Sequence, residues 1–219
     1  MQQAPVYLTY LSVGIAVLAL VVSATAMWLT YLKKGQVRLT RPSVVYFGPD
    51  GSRNDGLNGI PKIFFRGLLI ADAKRGRIVE SLYASLQHNE SKQNFNVWVY
   101  GDEKLVRGSG LFVGDTGIVA NHHFLLPKND NNFKFQSGTY CLEVHASILG
   151  DKRTKMLFSE VFEISSAEAS TIASGMGGLY FDWGPQSNRY ISYLDHPTAR
   201  PSVAQDAGQS PPRNLTPAQ

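Results

Sequence analysis

The sequence is poor in cysteine, and its first 32 positions contain no charged side chain. A single cysteine, Cys141, excludes an intrachain disulfide and a metal site built from several cysteines. Charged residues make up 17% of the chain, below the roughly 25% of an average soluble protein. Because the first charged side chain is Lys33, this distribution excludes a plain cytosolic globule.

Signatures of catalysis, metal binding and nucleic-acid binding are also missing. The chain has no Gly-x-Ser-x-Gly elbow and no phosphate-cradling loop, and no nucleophile stands beside a base in a recognisable motif. The polar loop that starts at Asp50 has Asp55 where a calcium loop needs glycine, and Pro61 where it needs glutamate. A net charge of +4 falls short of a nucleic-acid-binding signature. We therefore predict no enzyme activity, no catalytic or metal site, no cofactor and no nucleic-acid partner.

The strongest positive signal is an uncharged run of 22 residues from Leu11 to Leu32. As a helix it spans roughly 33 Å, enough to cross a bilayer core of about 30 Å. Aromatic residues flank it at the positions expected for the two membrane interfaces, namely Tyr7, Tyr10, Trp28 and Tyr31. The run predicts a single transmembrane helix over residues 11–32, with residues 1–10 as a short extracytoplasmic N-terminus.

A cleaved signal peptide is the alternative interpretation of this segment. Ala24, Thr25 and Ala26 have the small-x-small form of a cleavage site. Against cleavage, residues 1–5 carry no Lys or Arg, and the apolar run continues beyond Ala26 to Leu32. The pattern favours an uncleaved anchor.

Basic residues follow the helix and none precede it. The juxtamembrane segment 33–42 contains Lys33, Lys34, Arg38 and Arg41. Because positive residues near a helix end stay on the cytoplasmic side, we predict that the main domain is cytoplasmic. The same four side chains are candidates for contact with anionic lipid headgroups, so membrane lipid is one expected partner.

Small residues recur along one side of the predicted transmembrane helix. The spacings between them are 4, 3, 4, 3 and 4, close to the period of a left-handed helix pair. The residues are Ser12, Ala16, Ala19, Ser23, Ala26 and Thr30. This helix seam predicts association with another helix, including a second copy of the chain; the alternative is a lone anchor.

Residues 43–165 have the pattern of an antiparallel β-sandwich. Short stretches of β-branched and aromatic residues alternate with turn residues, and no helical period persists. Counting from just before this domain, the predicted strands are Val37–Phe47, Lys62–Ala71, Ile78–His88, Phe95–Tyr100, Leu105–Val113, Ile118–Leu126, Thr139–Leu149 and Met156–Ile164.

One of these strands carries a more specific motif. The segment Ser137–Val144 resembles the penultimate strand of immunoglobulin-like domains, in which a tyrosine, here Tyr140, bonds back to the preceding chain. The resemblance implies an immunoglobulin-like sandwich with Tyr140, Leu142 and Val144 on one face. Leu142 stands where antibody domains have a core cysteine, so no such disulfide is expected. As a whole the chain resembles small, uncharacterised membrane-anchored proteins of bacteria.

The C-terminal part predicts a short helix, an aromatic hairpin and a tail. Residues 166–174 favour a helix capped by Ser165 or Ser166, and residues 179–194 favour a hairpin with a five-residue loop. The hairpin's aromatic residues either pack on the sandwich or form a docking patch; they are Tyr180, Phe181, Trp183, Tyr190 and Tyr193. We treat residues 166–196 as an appendage, and five prolines in residues 197–219 predict a disordered tail.

Together these features predict a mainly β, single-pass membrane protein. We expect the sandwich to act as a non-enzymatic interaction or assembly module whose protein partner the sequence does not reveal. The alternative is an extracytoplasmic module that binds a ligand or a glycan, with the topology reversed.

Overall fold

The computed structural model describes residues 6–50, 59–100, 105–107, 110–127, 133–175 and 177–195. Within strands, the side chains of residues 98–100 and 105–107 are outside this description. The predictions made for residues 1–5, for the polar loop 51–58 and for the tail 197–219 therefore lie outside the described part.

The N-terminal segment is helical. Helix α1 covers Val6–Met27 and continues as a π-helical turn over Trp28–Leu32. It begins five residues before the predicted start at Leu11. No residue of α1 is buried, so this apolar helix lies outside the β domain.

The domain consists of strands that all pair in the antiparallel direction, as predicted from the alternating pattern. The strands are β1 (Val37–Leu39), β2 (Val44–Pro49), β3 (Pro61–Ala71), β4 (Arg77–His88), β5 (Ser91–Tyr100), β6 (Leu105–Arg107), β7 (Leu111–Val113), β8 (Ile118–Leu125), β9 (Gly138–Ile148), β10 (Lys155–Ile164), β11 (Gly178–Gly184) and β12 (Arg189–Asp195). The second helix, α2, covers Ser166–Ala173.

Two predicted strands are each divided in the structure. The run Val37–Phe47 splits into β1 and β2, which both pair with β3 along the same side. Pro42 lies in the break, where its missing N–H cannot extend a ladder. The run Leu105–Val113 splits into β6, which pairs with β5, and β7, which pairs with β4.

Hydrogen bonding is continuous in the order β10-β9-β4-β5-β8-β3-β2-β11-β12. The sheet folds over on itself, because Phe162 of β10 contacts Phe47, Phe181 and Tyr190 from the other end of that order. The enclosed core contains fully buried aromatic side chains at Phe47, Phe65, Phe95, Phe124 and Tyr140. Because β5 and β8 join the two halves into one sheet, the immunoglobulin-like type of sandwich is not confirmed.

The C-terminal helix and hairpin are present, and the hairpin extends the sheet instead of standing apart from it. Strand β11 pairs with β2 from Leu179 to Asp182, and β12 then forms the edge. Helix α2 follows Ser165, one of the two caps that the sequence predicted, and Glu168 completes a capping box with it. The Ser165 hydroxyl accepts from the Glu168 N–H, and the Glu168 carboxylate accepts from the Ser165 N–H.

The hydrogen bond expected of Tyr140 is present at the start of β9. The Tyr140 hydroxyl donates to the Gln136 carbonyl at 3.0 Å and accepts from the Gln136 N–H at 2.7 Å. Its ring stacks on His88, with centroids 4.4 Å apart. Tyr140, Leu142 and Val144 all face the core, which is the strand orientation that the resemblance implied.

Candidate functional site

The apolar helix is long enough to span a membrane. From Val6 to Leu32 it covers 27 residues, about 40 Å at 1.5 Å per residue, and none of it is buried in the domain. The predicted interface residues Tyr7, Tyr10, Trp28 and Tyr31 are all exposed. A membrane anchor and a signal sequence both have these properties.

The helix seam is open along most of its length. Ser12, Ala16, Ala19, Ser23 and Ala26 are exposed, and Thr30 is half-buried. The Ser12 hydroxyl donates to the Thr9 carbonyl within the helix. The seam's role in helix association stays a prediction.

A linker of four residues, Lys33–Gln36, joins the helix to β1. The last two residues of this linker contact the domain. Gly35 is buried against Ala73 so closely that an added Cβ would lie 2.7 Å from the Ala73 Cβ. The Gln36 N–H donates to an Asp72 carboxylate oxygen at 2.5 Å, and the Asp72 N–H donates back to the Gln36 carbonyl. The last turn of the helix therefore lies close to one end of the domain.

Arg77 is the residue that ties this linker to the sheet. Its guanidinium donates to the Gly35 carbonyl at 3.2 Å, to the Leu149 carbonyl at 3.2 Å and to the Asp151 carboxylate at 2.7 Å. The Arg77 side chain is 9% exposed. Its hydrogen bond lowers the pKa of Asp151, so the carboxylate stays charged.

We call this part of the domain the helix-proximal end, and it comprises residues 33–37, 71–78, 112–118 and 148–155. Strand register brings these segments together. Val37 pairs with Ala71, Arg77 with Val113, and Val79 with Ile148. The sequence predicted turns between these strands, but it did not show that the turns lie side by side.

The four basic residues of the juxtamembrane segment separate in the structure. Lys33 and Lys34 are exposed beside the helix. Arg38 lies 3.7 Å from Asp72. Arg41 stacks on the Trp183 ring at 4.0 Å and pairs with Glu160 at 3.7 Å, so it bridges the hairpin and β10. The structure therefore does not bring the four together as one cluster.

The aromatic residues of the hairpin do not form one patch. Phe181 is buried, while Trp183 and Tyr190 are half-buried on the same face, and the Tyr190 hydroxyl donates to the Pro42 carbonyl at 2.6 Å. Tyr180 and Tyr193 lie on the opposite face. The structure therefore does not bring the five residues together as one surface, because alternation along each strand divides them, and a docking role for either group stays a prediction.

The outer pair continues an aromatic row across neighbouring strands. Tyr193 stacks on Tyr180 with centroids 5.4 Å apart, and Tyr180 contacts Tyr46 at 4.8 Å. The next residue in register is Phe64, whose ring lies 4.8 Å from His123. The rings pack on one another, so much of their surface is used within the domain.

A cleft of about 630 Å³ separates the two edge strands, β10 and β12. Its lining includes the aromatic residues Phe162, Phe181 and Tyr190 and the carboxylates of Glu160, Glu163 and Glu168. Two of these carboxylates already have partners, because Glu160 pairs with Arg41 and Glu168 caps α2. The cleft is therefore better described as a gap between two edge strands than as a site with a pair of unpartnered carboxylates.

Two adjacent histidines on β8 are both buried, although neighbouring positions face opposite sides of the strand. His122 contacts Phe65 and Phe124, whereas His123 contacts Phe64. Burial lowers the pKa of His122 to about 4. Burial, aided by Lys62 and His122, lowers the pKa of His123 to about 4 as well. The sequence signal for burial on both faces was the apolar pair Phe124 and Leu125 that follows.

Within the described ranges, no three His, Cys, Asp or Glu side chains converge as metal ligands would. Cys141 is half-buried, and its sulfur lies 3.8 Å from the Ser159 hydroxyl. The expectations of no enzyme activity and no cofactor stay predictions.

These features define a mostly antiparallel β-sheet domain that carries an apolar N-terminal helix. No protein-family model matches the chain, and no curated protein matches it. Among solved structures, it is similar to the predicted lipoprotein ycdA of Bacillus subtilis subsp. subtilis strain 168, with 18% identity and a TM-score of 0.32. The match covers 65% of this chain and 39% of that protein. At this TM-score the likeness carries no functional argument.

Proposed function

We propose that the protein is a single-pass, membrane-anchored β domain that acts as a non-enzymatic interaction or assembly module. The observation that carries this proposal is the apolar helix Val6–Leu32, which is not buried in the domain. Only four residues join it to the domain, and Arg77 of the domain forms a hydrogen bond with the Gly35 carbonyl of this linker. A tether of this length holds the domain at the membrane surface. An enzyme of a soluble substrate gains little from such a fixed attachment, whereas a module that meets membrane-bound partners is concentrated near them.

We further propose that the domain lies on the cytoplasmic side. The linker begins with Lys33 and Lys34, and more basic residues follow in the nearby turns of the helix-proximal end, while no Lys or Arg precedes the helix. The positive-inside rule favours retention of this side of the helix in the cytoplasm.

Fusions after Gln219 test the topology. Alkaline phosphatase is active only outside the cytoplasm, and a fluorescent protein that folds poorly after export reports the inside. We expect fluorescence without phosphatase activity. When residues 6–32 are removed, we expect the fluorescent fusion to leave the membrane fraction. Strong phosphatase activity without fluorescence would contradict the cytoplasmic placement and favour the ligand- or glycan-binding alternative.

The partner that the sheet edge fits best is a second copy of the chain. Strand β12 pairs only with β11 among the described strands, so its other edge has free backbone groups. Its exposed side chains include Ile191 and Tyr193, which are 52% and 46% exposed. The strand carries neither proline nor a bulge that would protect this edge.

The sequence of β12 is complementary to itself in the antiparallel direction. If Ser192 lies opposite Ser192 of the second copy, Arg189 lies opposite Asp195 twice, and Ile191 lies opposite Tyr193 twice. Neither Arg189 nor Asp195 has an ion pair within the described part of the monomer. Opposite-charge pairs across strands each contribute roughly 0.2–1 kcal/mol.

Charge reversal separates this pairing from a general effect on stability. We expect Arg189→Asp and Asp195→Arg each to weaken self-association of the full-length protein in detergent, because each places like charges opposite one another. The double variant restores both pairs and should regain the wild-type association in sedimentation equilibrium. If the double variant is as weak as the single variants, or if the single variants associate normally, pairing along β12 is wrong.

A further inference from the structure

The helix-proximal end concentrates the positive charge of the protein. Its segments contain eight basic and three acidic residues, out of 21 and 17 in the chain. The rest of the sequence therefore carries 13 basic and 14 acidic residues and is nearly neutral. The net charge of +4 arises from this one end of the domain.

Most of these basic side chains are free to face a partner. Asp151 is paired with Arg77 and Lys155, and Asp72 with Arg38. Six exposed basic residues take part in no ion pair within the described ranges. They are Lys33, Lys34, Lys74, Arg75, Lys152 and Arg153. Four of them, Lys74, Arg75, Lys152 and Arg153, lie in turns of the domain. The contacts of Gly35 and Gln36 with the domain place these turns next to the helix.

Exposed apolar side chains lie among these charges. Phe112 is 63% exposed, Leu149 is 52% exposed and Ile78 is 42% exposed. They line a shallow pocket of about 330 Å³ together with Lys34 and Arg75. The Phe112 ring lies over Gly76, which has a φ of +66° and leaves space that a side chain would fill. An apolar tip with a basic rim is the surface expected of a protein that contacts a lipid interface.

We propose that the helix-proximal end binds the anionic headgroups of the bilayer that the helix spans. This inference rests on the proposed function, because a spanning helix and a four-residue linker place this end at the membrane surface. The basic side chains contact lipid phosphates, and Phe112, Leu149 and Ile78 enter the headgroup layer. The domain is then held against the membrane in one orientation, with β12 and the opposite end directed away from that contact.

The test uses the full-length protein in lipid nanodiscs, with Cys141→Ser as the background. A fluorophore is attached at Thr154→Cys in the β9–β10 turn, or at Glu90→Cys in the β4–β5 turn. Both positions are exposed turns, but they lie at opposite ends of the domain. Strand β4 alone spans the twelve residues between these ends, about 40 Å at 3.3 Å per residue.

Lipids with a spin label on the headgroup then quench fluorophores near the membrane. We expect strong quenching at Thr154→Cys in nanodiscs that contain phosphatidylglycerol, weaker quenching in phosphatidylcholine alone, and little quenching at Glu90→Cys. Reversing Lys74, Arg75, Lys152 and Arg153 to Glu should reduce quenching at Thr154→Cys to the level seen in phosphatidylcholine alone. The matched control reverses Arg66 and Lys134, which are exposed elsewhere on the domain, and should leave the quenching unchanged.

A third position separates failure of this inference from failure of the anchor. A fluorophore at Val17→Cys should be quenched by a spin label on the acyl chain. The headgroup site is wrong if Val17→Cys is quenched and Thr154→Cys is not. It is also wrong if quenching at Thr154→Cys is the same with and without phosphatidylglycerol. In both cases the spanning helix is retained. If Val17→Cys is not quenched, the spanning helix is wrong and the inference falls with it.

Discussion

Tyr140 fastens the start of β9 to the loop that precedes it. Its hydroxyl forms two hydrogen bonds with the backbone of Gln136, and its ring is fully buried between the core and His88. Buried backbone groups outside a ladder need such partners, because an unsatisfied N–H or C=O costs free energy. One side chain therefore determines how the chain enters the strand.

We expect Tyr140→Phe to lower the free energy of unfolding by about 1–2 kcal/mol without altering the fold. The ring is retained, but both hydrogen bonds to Gln136 are lost. Thermal denaturation of the full-length protein in detergent measures the change. Tyr83→Phe is the control, because Tyr83 stacks on His145 and its hydroxyl has no hydrogen-bond partner in the described part. An unchanged melting temperature in Tyr140→Phe would contradict the assigned role.

His122 and His123 make the stability of the domain depend on pH. Their folded pKa values, about 4, lie below the value of about 6.5 for a free histidine. The unfolded chain therefore takes up protons between pH 6.5 and pH 4 that the folded chain does not bind. Stability is complete above about pH 6.5, falls through this window, and levels off below about pH 4.

We expect each histidine to contribute up to about 3 kcal/mol to this loss of stability. His122→Phe should remove its share, because the side chain already lies between Phe65 and Phe124 and a phenyl ring suits that position. Chemical denaturation at several pH values measures the slope. His123→Phe provides the comparison. A slope that stays at the wild-type value in both variants would show that these residues do not cause it.

At the scale of elements, the apolar helix has one face rich in small residues. In lipid, helices associate through close packing, and small side chains let their backbones approach. The seam from Ser12 to Thr30 is exposed over most of its length, so the β domain does not block it.

We expect the combined change Ala16→Leu, Ala19→Leu and Ser23→Leu to weaken self-association of the helix in a membrane reporter assay. Larger side chains on the seam keep the backbones apart. The matched control, Val13→Leu, Val17→Leu and Val21→Leu, enlarges residues elsewhere on the helix and should leave the signal unchanged. Equal signals from the two sets would leave the helix as an anchor only.

The hairpin β11–β12 covers one side of the core, and its strand β12 is an edge strand of the sheet. Its inner residues Phe181 and Tyr190 contact Phe162 of β10, so the hairpin covers the core. Its outer edge remains unpaired within the described part of the chain. The same element therefore stabilises the fold and supplies the surface proposed for a second copy.

At the scale of the whole molecule, the proposed contacts with the membrane and with a second copy act along different directions. In the proposed arrangement, the helix and the helix-proximal end hold the domain to the lipid, whereas β12 lies at the end of the sheet order. Confinement of two copies to one membrane would raise their effective concentration, so that weak pairing along a single strand would suffice for assembly.

The sequence by itself determined the apolar N-terminal helix, the strands and the local motifs. The uncharged run, the alternation of apolar residues, the capping box of α2 and the Tyr140 motif each depend on residues within one segment. Their physical causes are local, namely helix length against bilayer thickness, the two-residue period of strands and short-range hydrogen bonds. Those predictions could therefore be made without knowing which strands are neighbours.

Only the tertiary structure decided which side chains act together. Alternation divides the five hairpin aromatics between two faces, but the pairing of β11 with β2 decides which face lies against the core, and that pairing joins segments more than 130 residues apart. Lys74 and Arg75 lie near Lys152 and Arg153 because β4 pairs with β9, although 78 positions separate Lys74 from Lys152 along the chain. Strand alternation gives two faces but does not say which one is covered. Long-range pairing of strands makes that choice, and it also assembles the surface that we propose faces the membrane.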